Sequence, residues 1–139
     1  MKVLLLLYLG IGISSCTTIK AKKHSFSITI GSGFHKDTLS VAYNGIPLII
    51  NSVADSDFVT GIVPSLSIVG EKGVLKVNSQ KGERSINAQL DNESAILVVR
   101  VGQYTSSIPF NSRKGRYLLI NYAQNGIQLN QYKKPMVFY

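Results

Sequence analysis

The side chains able to do chemistry in this 139-residue chain are few: one cysteine, Cys16, two histidines, His24 and His35, and a small set of acids. Nucleophilic catalysis needs a base within hydrogen-bond reach of its nucleophile. His35 and Asp37 can orient one another within the turn-like stretch Gly31-Ser32-Gly33-Phe34-His35-Lys36-Asp37, yet no nucleophile motif accompanies them. Gly31-Ser32-Gly33 has the composition of an anion-binding nest but neither continues into a phosphate loop nor opens a helix. A turn is the simpler reading. Zinc needs three or four closely placed ligands, which the sequence does not offer. Asp55-Ser56-Asp57 is the best calcium candidate, on a loop expected between strands. It lacks the glycine and distal glutamate of an EF-hand loop. The acids Asp37, Asp55, Asp57, Glu71, Glu83, Asp91 and Glu93 fall mainly in turns, so no facing pair for glycoside cleavage is apparent. The expectation is a non-enzyme with no metal and no cofactor.

What remains is cationic and aromatic. The net charge is +8, which favours anionic partners. Two groups concentrate it: Arg113-Lys114-Gly115-Arg116-Tyr117, and Gln131-Tyr132-Lys133-Lys134. Between them lies Gln124-Asn125-Gly126, a turn that would fold the second group back beside the first. Arg113, Lys114, Arg116, Tyr132, Lys133 and Lys134 are therefore the candidate binding residues, for an acidic glycan or an acidic protein surface. A scattered, merely solubilising surface is the plainer alternative. No nucleic-acid-binding motif appears, and nucleic acid is not an expected partner.

The elements that must position these residues are strands. Phe26, Ile28 and Ile30 alternate, as do Leu39, Val41 and Tyr43, and then Ile46, Leu48 and Ile50. Asn44-Gly45 between the last two runs predicts a type I′ hairpin pairing Tyr43 with Ile46, Val41 with Leu48 and Leu39 with Ile50. Pro47 then faces Ala42 at a non-hydrogen-bonded position, which makes this strand an edge or a bulge. Such an edge is either a docking site or guarded by its proline. Further runs are Leu66 to Val69, Val74 to Val77, Ile86 to Leu90, Ala95 to Val101, Arg116 to Tyr122, Ile127 to Gln131 and Met136 to Phe138. Ala95 to Val99 is apolar on both faces, which predicts a central strand covered on both sides, with Tyr117 to Ile120 as its neighbour. Turn chemistry every eight to twelve residues or so predicts an all-β fold, a single antiparallel β-sandwich of about eight to ten strands over residues 25–139.

The first residues say where the protein resides. Lys2 precedes the apolar run from Val3 to Ile13, and Ser14-Ser15 lead into Cys16. The run is shorter than the about 20 apolar residues of a membrane-spanning helix and suits a secretory signal. The pattern resembles the lipobox of bacterial lipoproteins, which implies cleavage after residue 15 and a lipid on Cys16. A signal cut without lipidation, leaving an ordinary cysteine, is the alternative. Thr17 stands where the family's inner-membrane retention signal places aspartate, so the resemblance implies the outer membrane of the cell envelope. Residues 16–24 read as a lipidated basic tether, with Lys20, Lys22 and Lys23 either near the lipid headgroups or simply solvated.

The order of signal, tether and compact β domain is similar to that of many small envelope lipoproteins, a likeness that carries no functional residues. The expected function is a lipid-anchored, non-catalytic module that binds a protein partner in the envelope. The alternative is a ligand-binding or inhibitory lipoprotein recognising acidic polysaccharide or an acidic enzyme cleft. Fatty-acid labelling tests the anchor: the wild-type chain incorporates label and Cys16→Ser does not, whereas label persisting in the variant refutes the lipobox reading.

Overall fold

The computed structural model describes residues 25–90 and 94–139. The signal, Cys16 and the tether lysines lie outside the described residues. Ten strands follow in order: β1 (Phe26–Ile30), β2 (His35–Tyr43), β3 (Ile46–Asp55), β4 (Ser67–Glu71), β5 (Val74–Ser79), β6 (Gly82–Asn87), β7 (Ala95–Val101), β8 (Tyr104–Phe110), β9 (Tyr117–Ala123) and β10 (Gly126–Tyr132). They form a β-sandwich. One sheet has the order β10-β9-β1-β4-β5-β6 and the other β3-β2-β7-β8.

Alternation explains the packing. Phe26, Ile28 and Ile30 of β1, Leu118 and Ile120 of β9, and Leu75 and Val77 of β5 face Leu39, Val41, Leu97 and Val99 of the other sheet's β2 and β7, and all are buried. Each such side chain contributes about 1.5–3 kcal/mol by leaving water. Phe26 joins the two sheets where β1 begins, stacked on Tyr43 at 5.4 Å and edge-on to Phe110 at 5.1 Å. Burial pushes the Tyr43 phenol above its ordinary pKa.

All described pairings are antiparallel except one. β1 runs parallel to β9, from Ser27↔Tyr117 to Ile30↔Ile120. Ser27 N–H donates to Arg116 O at 2.8 Å, and Gly31 N–H to Ile120 O at 2.8 Å. The start of β1 is thereby fixed beside the start of β9, at what we call the proximal end.

The Asn44-Gly45 hairpin forms as expected at its tip, with both residues at positive φ, Tyr43↔Ile46 and Ala42↔Pro47. Beyond Pro47 the predicted register fails. Val41 pairs with Ile49 and Leu39 with Ser52, because bulges intervene. Leu48 and Ile49 are both buried, Ile50 is exposed, and a second irregularity near Asn51, at φ 46°, returns Ser52 and Ala54 to the core face. Asn51 is held by Ser40, whose Oγ accepts from its amide at 2.9 Å, and by Arg100, which donates to its Oδ1 at 2.8 Å.

β3 is an edge, as Pro47 implies. It is also covered: Arg84 of β6 reaches across from the facing sheet to the carbonyls of Pro47 and Leu48, and Gln80 donates to Val53 O at 2.9 Å. Proline, bulges and borrowed donors together make this a guarded edge.

Five other expectations are corrected. β7 is central but buries one face only, since Ile96 is 53% exposed. Its neighbours are β2 and β8, whereas Tyr117 to Ile120 lies in the opposite sheet. The strand expected from Ile86 to Leu90 is β6, ending at Asn87, and Met136 to Phe138 forms none. His35, Asp37 and Asp55 lie on strands rather than in turns, with His35 paired to Asp55.

Gly33 is where a chain crossing meets a strand. Its φ is +92°, and a Cβ there would lie 1.5 Å from the Tyr122 carbonyl oxygen. Gly45, at φ +79°, has nothing within 4 Å of the same position. Gly33→Ala should therefore cost about 3 kcal/mol and Gly45→Ala about 1 kcal/mol, read as shifts of the denaturant midpoint. Equal effects would contradict the packing of residues 31–34 on β9.

Candidate functional site

At the proximal end, the β9–β10 hairpin pairs Tyr117 with Tyr132. The sequence-predicted group is thus brought together: Arg113, Lys114 and Arg116 lead into β9, and Tyr132, Lys133 and Lys134 close β10. The lead-in is a tight turn, with Lys114 N–H donating to Asn111 O at 3.0 Å and Arg113 N–H to Asn111 Oδ1 at 2.9 Å. Gln131 ties it to β10 by donating to Asn111 O at 3.2 Å. Arg113, Lys114, Lys133 and Lys134 are exposed and Arg116 is half-buried. Beside them Leu119, Tyr132, Pro135, Met136, Val137 and Phe138 line a shallow groove of about 570 Å³.

The distal end is closed by two crossings, residues 31–34 from β1 to β2 and residues 56–66 from β3 to β4. Ser56 clips one to the other: its Oγ accepts from Phe34 N–H at 3.0 Å and donates to Gly31 O at 2.8 Å. Asp57 then builds the loop around itself. Its Oδ1 accepts from Thr60 N–H at 2.8 Å, Thr60 Oγ at 3.0 Å and Val59 N–H at 3.0 Å, while its backbone bonds Ile62 O and Gly61 N–H. The Thr60 amide, then the Thr60 hydroxyl, with the Val59 amide, hold the Asp57 carboxyl below the usual carboxylate range.

This carboxylate is committed to the turn, so the calcium reading of Asp55 and Asp57 loses support, all the more because Asp55 sits on β3. Among the described residues no group of three or more His, Cys, Asp or Glu side chains could hold a metal ion.

The loop that Asp57 shapes carries Phe58 and Val59 on its tip. Phe58 is fully exposed and Val59 is 76% exposed. Sequence reading passed over them, although Asp57-Phe58-Val59-Thr60-Gly61 contains the signal: an aspartate capping the amides two and three residues on, followed by glycine. Buried Phe34 stacks on Tyr122 at 5.8 Å, and Tyr122 in turn lines a second distal feature. It is an open hollow of about 590 Å³ lined by Gly33, His35, Tyr104, Tyr122, Gln124 and Gly126. Here His35 meets Asp37 through its backbone amide, at 2.7 Å, and not through its imidazole. The expected mutual orientation of the two side chains is not what the structure shows.

The two ends differ in charge. Lys72 joins Arg113, Lys114, Arg116, Lys133 and Lys134 at the proximal end, with Glu71 beside it, whereas at the distal one Asp37, Asp55, Asp57 and Glu83 are balanced by Lys36, Lys81, Arg84 and Arg100. Comparison with known proteins gave no match to a family model, a curated protein or a solved structure.

Two outcomes are expected at Asp57. A carboxyl whose folded pKa is depressed supplies loop stability that is present above its unfolded value, about 3.9, and lost as pH falls through the folded value. Titration followed by NMR should place Asp57 below the ordinary aspartate value. Asp57→Ala should also remove the exchange protection of the Val59 and Thr60 amides while leaving the core strands protected. Unchanged protection would contradict the role assigned to the carboxylate.

Proposed function

We propose that this chain is a lipid-anchored, non-catalytic protein of the bacterial cell envelope, held in the outer membrane through Cys16, whose distal end binds a protein partner. The observation that carries this reading is Phe58. A fully exposed phenylalanine, next to an exposed valine, on a loop internally fixed by one carboxylate is a preorganised apolar prong. Aromatic side chains are enriched at protein interfaces, and a prong fixed in advance loses little entropy on binding.

The position of the prong supports the same reading. A tether of residues 16–24 reaches roughly 30 Å at full stretch, and β1 begins at the proximal end. The prong is therefore at the opposite end from the point where the chain enters the domain. The alternative of an acidic polysaccharide or acidic enzyme cleft on Arg113, Lys114, Arg116, Lys133 and Lys134 asks a soluble ligand to enter at the anchored end.

Crosslinking of the natively anchored protein in its own cells, followed by mass spectrometry, tests the proposal. A dominant protein neighbour is expected, and Phe58→Ser with Val59→Ser should reduce its capture at least about tenfold with the melting transition unchanged. Capture that is indifferent to these substitutions, or glycan in place of protein, would overturn the distal-binding reading.

A further inference from the structure

We infer that the proximal end is itself a membrane-contacting surface: its cations and neighbouring apolar strip dock on an anionic phospholipid headgroup layer and set the domain upright on the bilayer. The inference rests on the anchor reading above for the side from which the membrane approaches. Everything else comes from the fold. The parallel β1–β9 pair places the point where the chain leaves residue 25 beside Arg116, whose carbonyl takes the Ser27 amide. The β9–β10 register brings Lys133 and Lys134 to the same end.

Chemistry points to lipid rather than to a soluble polyanion. A soluble anion needs cations alone, whereas this end pairs Lys133 and Lys134 with the apolar strip that follows them. Val137 is 68% exposed and Phe138 37% exposed, against a groove floored by Leu119. Cations at headgroup level with apolar side chains alongside are the composition of surfaces that lie in a membrane interface. At the distal end Asp37, Asp55, Asp57 and Glu83 are interspersed with Lys36, Lys81, Arg84 and Arg100, so that end offers the same layer no excess of cations. The excess at the proximal end therefore favours one orientation, with the Phe58 prong pointing outward.

The tether alone would not do this. A lipid anchor bounds the distance of a domain from the bilayer and does not by itself fix which face meets it. A partner that must meet the prong would then find it facing the bilayer part of the time.

The test uses the full acylated protein, verified by its fatty-acid label, in vesicles of phosphatidylcholine alone or mixed with phosphatidylglycerol. With Cys16 acylated, Ser112→Cys at the proximal end or Gln124→Cys at the distal end supplies the thiol for a dye, and a headgroup-linked quencher reports proximity. The expected result is strong quenching at residue 112 and little at residue 124 in the anionic vesicles. The difference should disappear with phosphatidylcholine alone, and about 1 M salt should weaken it by shortening the screening length to roughly 3 Å. Arg113→Glu, Lys114→Glu and Arg116→Glu together should abolish it, with Lys133→Gln and Lys134→Gln as a milder second variant, each checked for an unchanged melting transition. Equal quenching in both lipid mixtures overturns the inference. So does an anionic preference that survives the charge reversals, since the attraction would then belong to Lys20, Lys22 and Lys23. Failure of the anchor reads out separately: an absent fatty-acid label refutes lipidation. Cys16→Ser chains cosedimenting preferentially with anionic vesicles, in a manner lost on charge reversal, would still show the docking end.

Discussion

The parallel contact of β1 with β9 is the constraint on which the rest of this molecule depends. It joins the first strand, already paired with β4, to β9, and without it the six-stranded sheet would divide into a β9–β10 hairpin and a β1–β4–β5–β6 sheet. Each part would expose a row of unpaired backbone groups and half of the core made by Ile28, Ile30, Leu118 and Ile120. The same contact fixes polarity. Because the two strands run in one direction, the beginning of the domain and the basic lead-in to β9 lie together, and the loops that follow each strand gather at the other end.

The two ends are closed by different means, and the difference matters for function. At the distal end Ser56 joins the crossings of residues 31–34 and 56–66, and the Asp57 carboxylate, with the backbone bonds of Asp57 to Gly61 and Ile62, holds the loop that carries the exposed tip. At the proximal end Phe26, Tyr43 and Phe110 seal the core from within, which leaves the outer shell to charge. An apolar tip at one end and a cationic, partly apolar surface at the other is the division on which the proposed anchored, partner-binding role rests.

Local chemistry was legible in the sequence and distant chemistry was not. Asn44-Gly45 announced its hairpin because a two-residue turn needing positive φ is specified by its own residues; Asn125-Gly126 marked the second, whose loop is Gln124-Asn125 with Gly126 paired to Ala123 at φ 102°. The second hairpin then brought the basic residues together correctly. The register of β2 with β3 was lost after Pro47 because the bulge near Asn51 is held by Ser40 and Arg100, residues far from it in sequence. β8 went unread because Thr105, Ser106 and Ser107 carry no apolar alternation at an exposed sheet edge. Ile96 misled in the opposite sense: an exposed isoleucine made β7 read as doubly covered. The parallel pair joins segments at opposite ends of the chain and has no local signature at all. Phe58 was hidden by its apolarity, since an apolar residue in a turn is read as core until the structure shows what surrounds it.

The account is tested most directly by the backbone contacts between β1 and β9 in solution. Amide-to-α-proton Overhauser contacts should connect Ser27 with Tyr117 and continue in the same direction to Ile30 with Ile120, with the Ser27 amide protected from exchange by its bond to Arg116. Contacts in the reverse order, with Ser27 near Ile120, would place the basic residues at the end away from residue 25 and contradict the arrangement from which both the outward prong and the membrane-facing cations are derived.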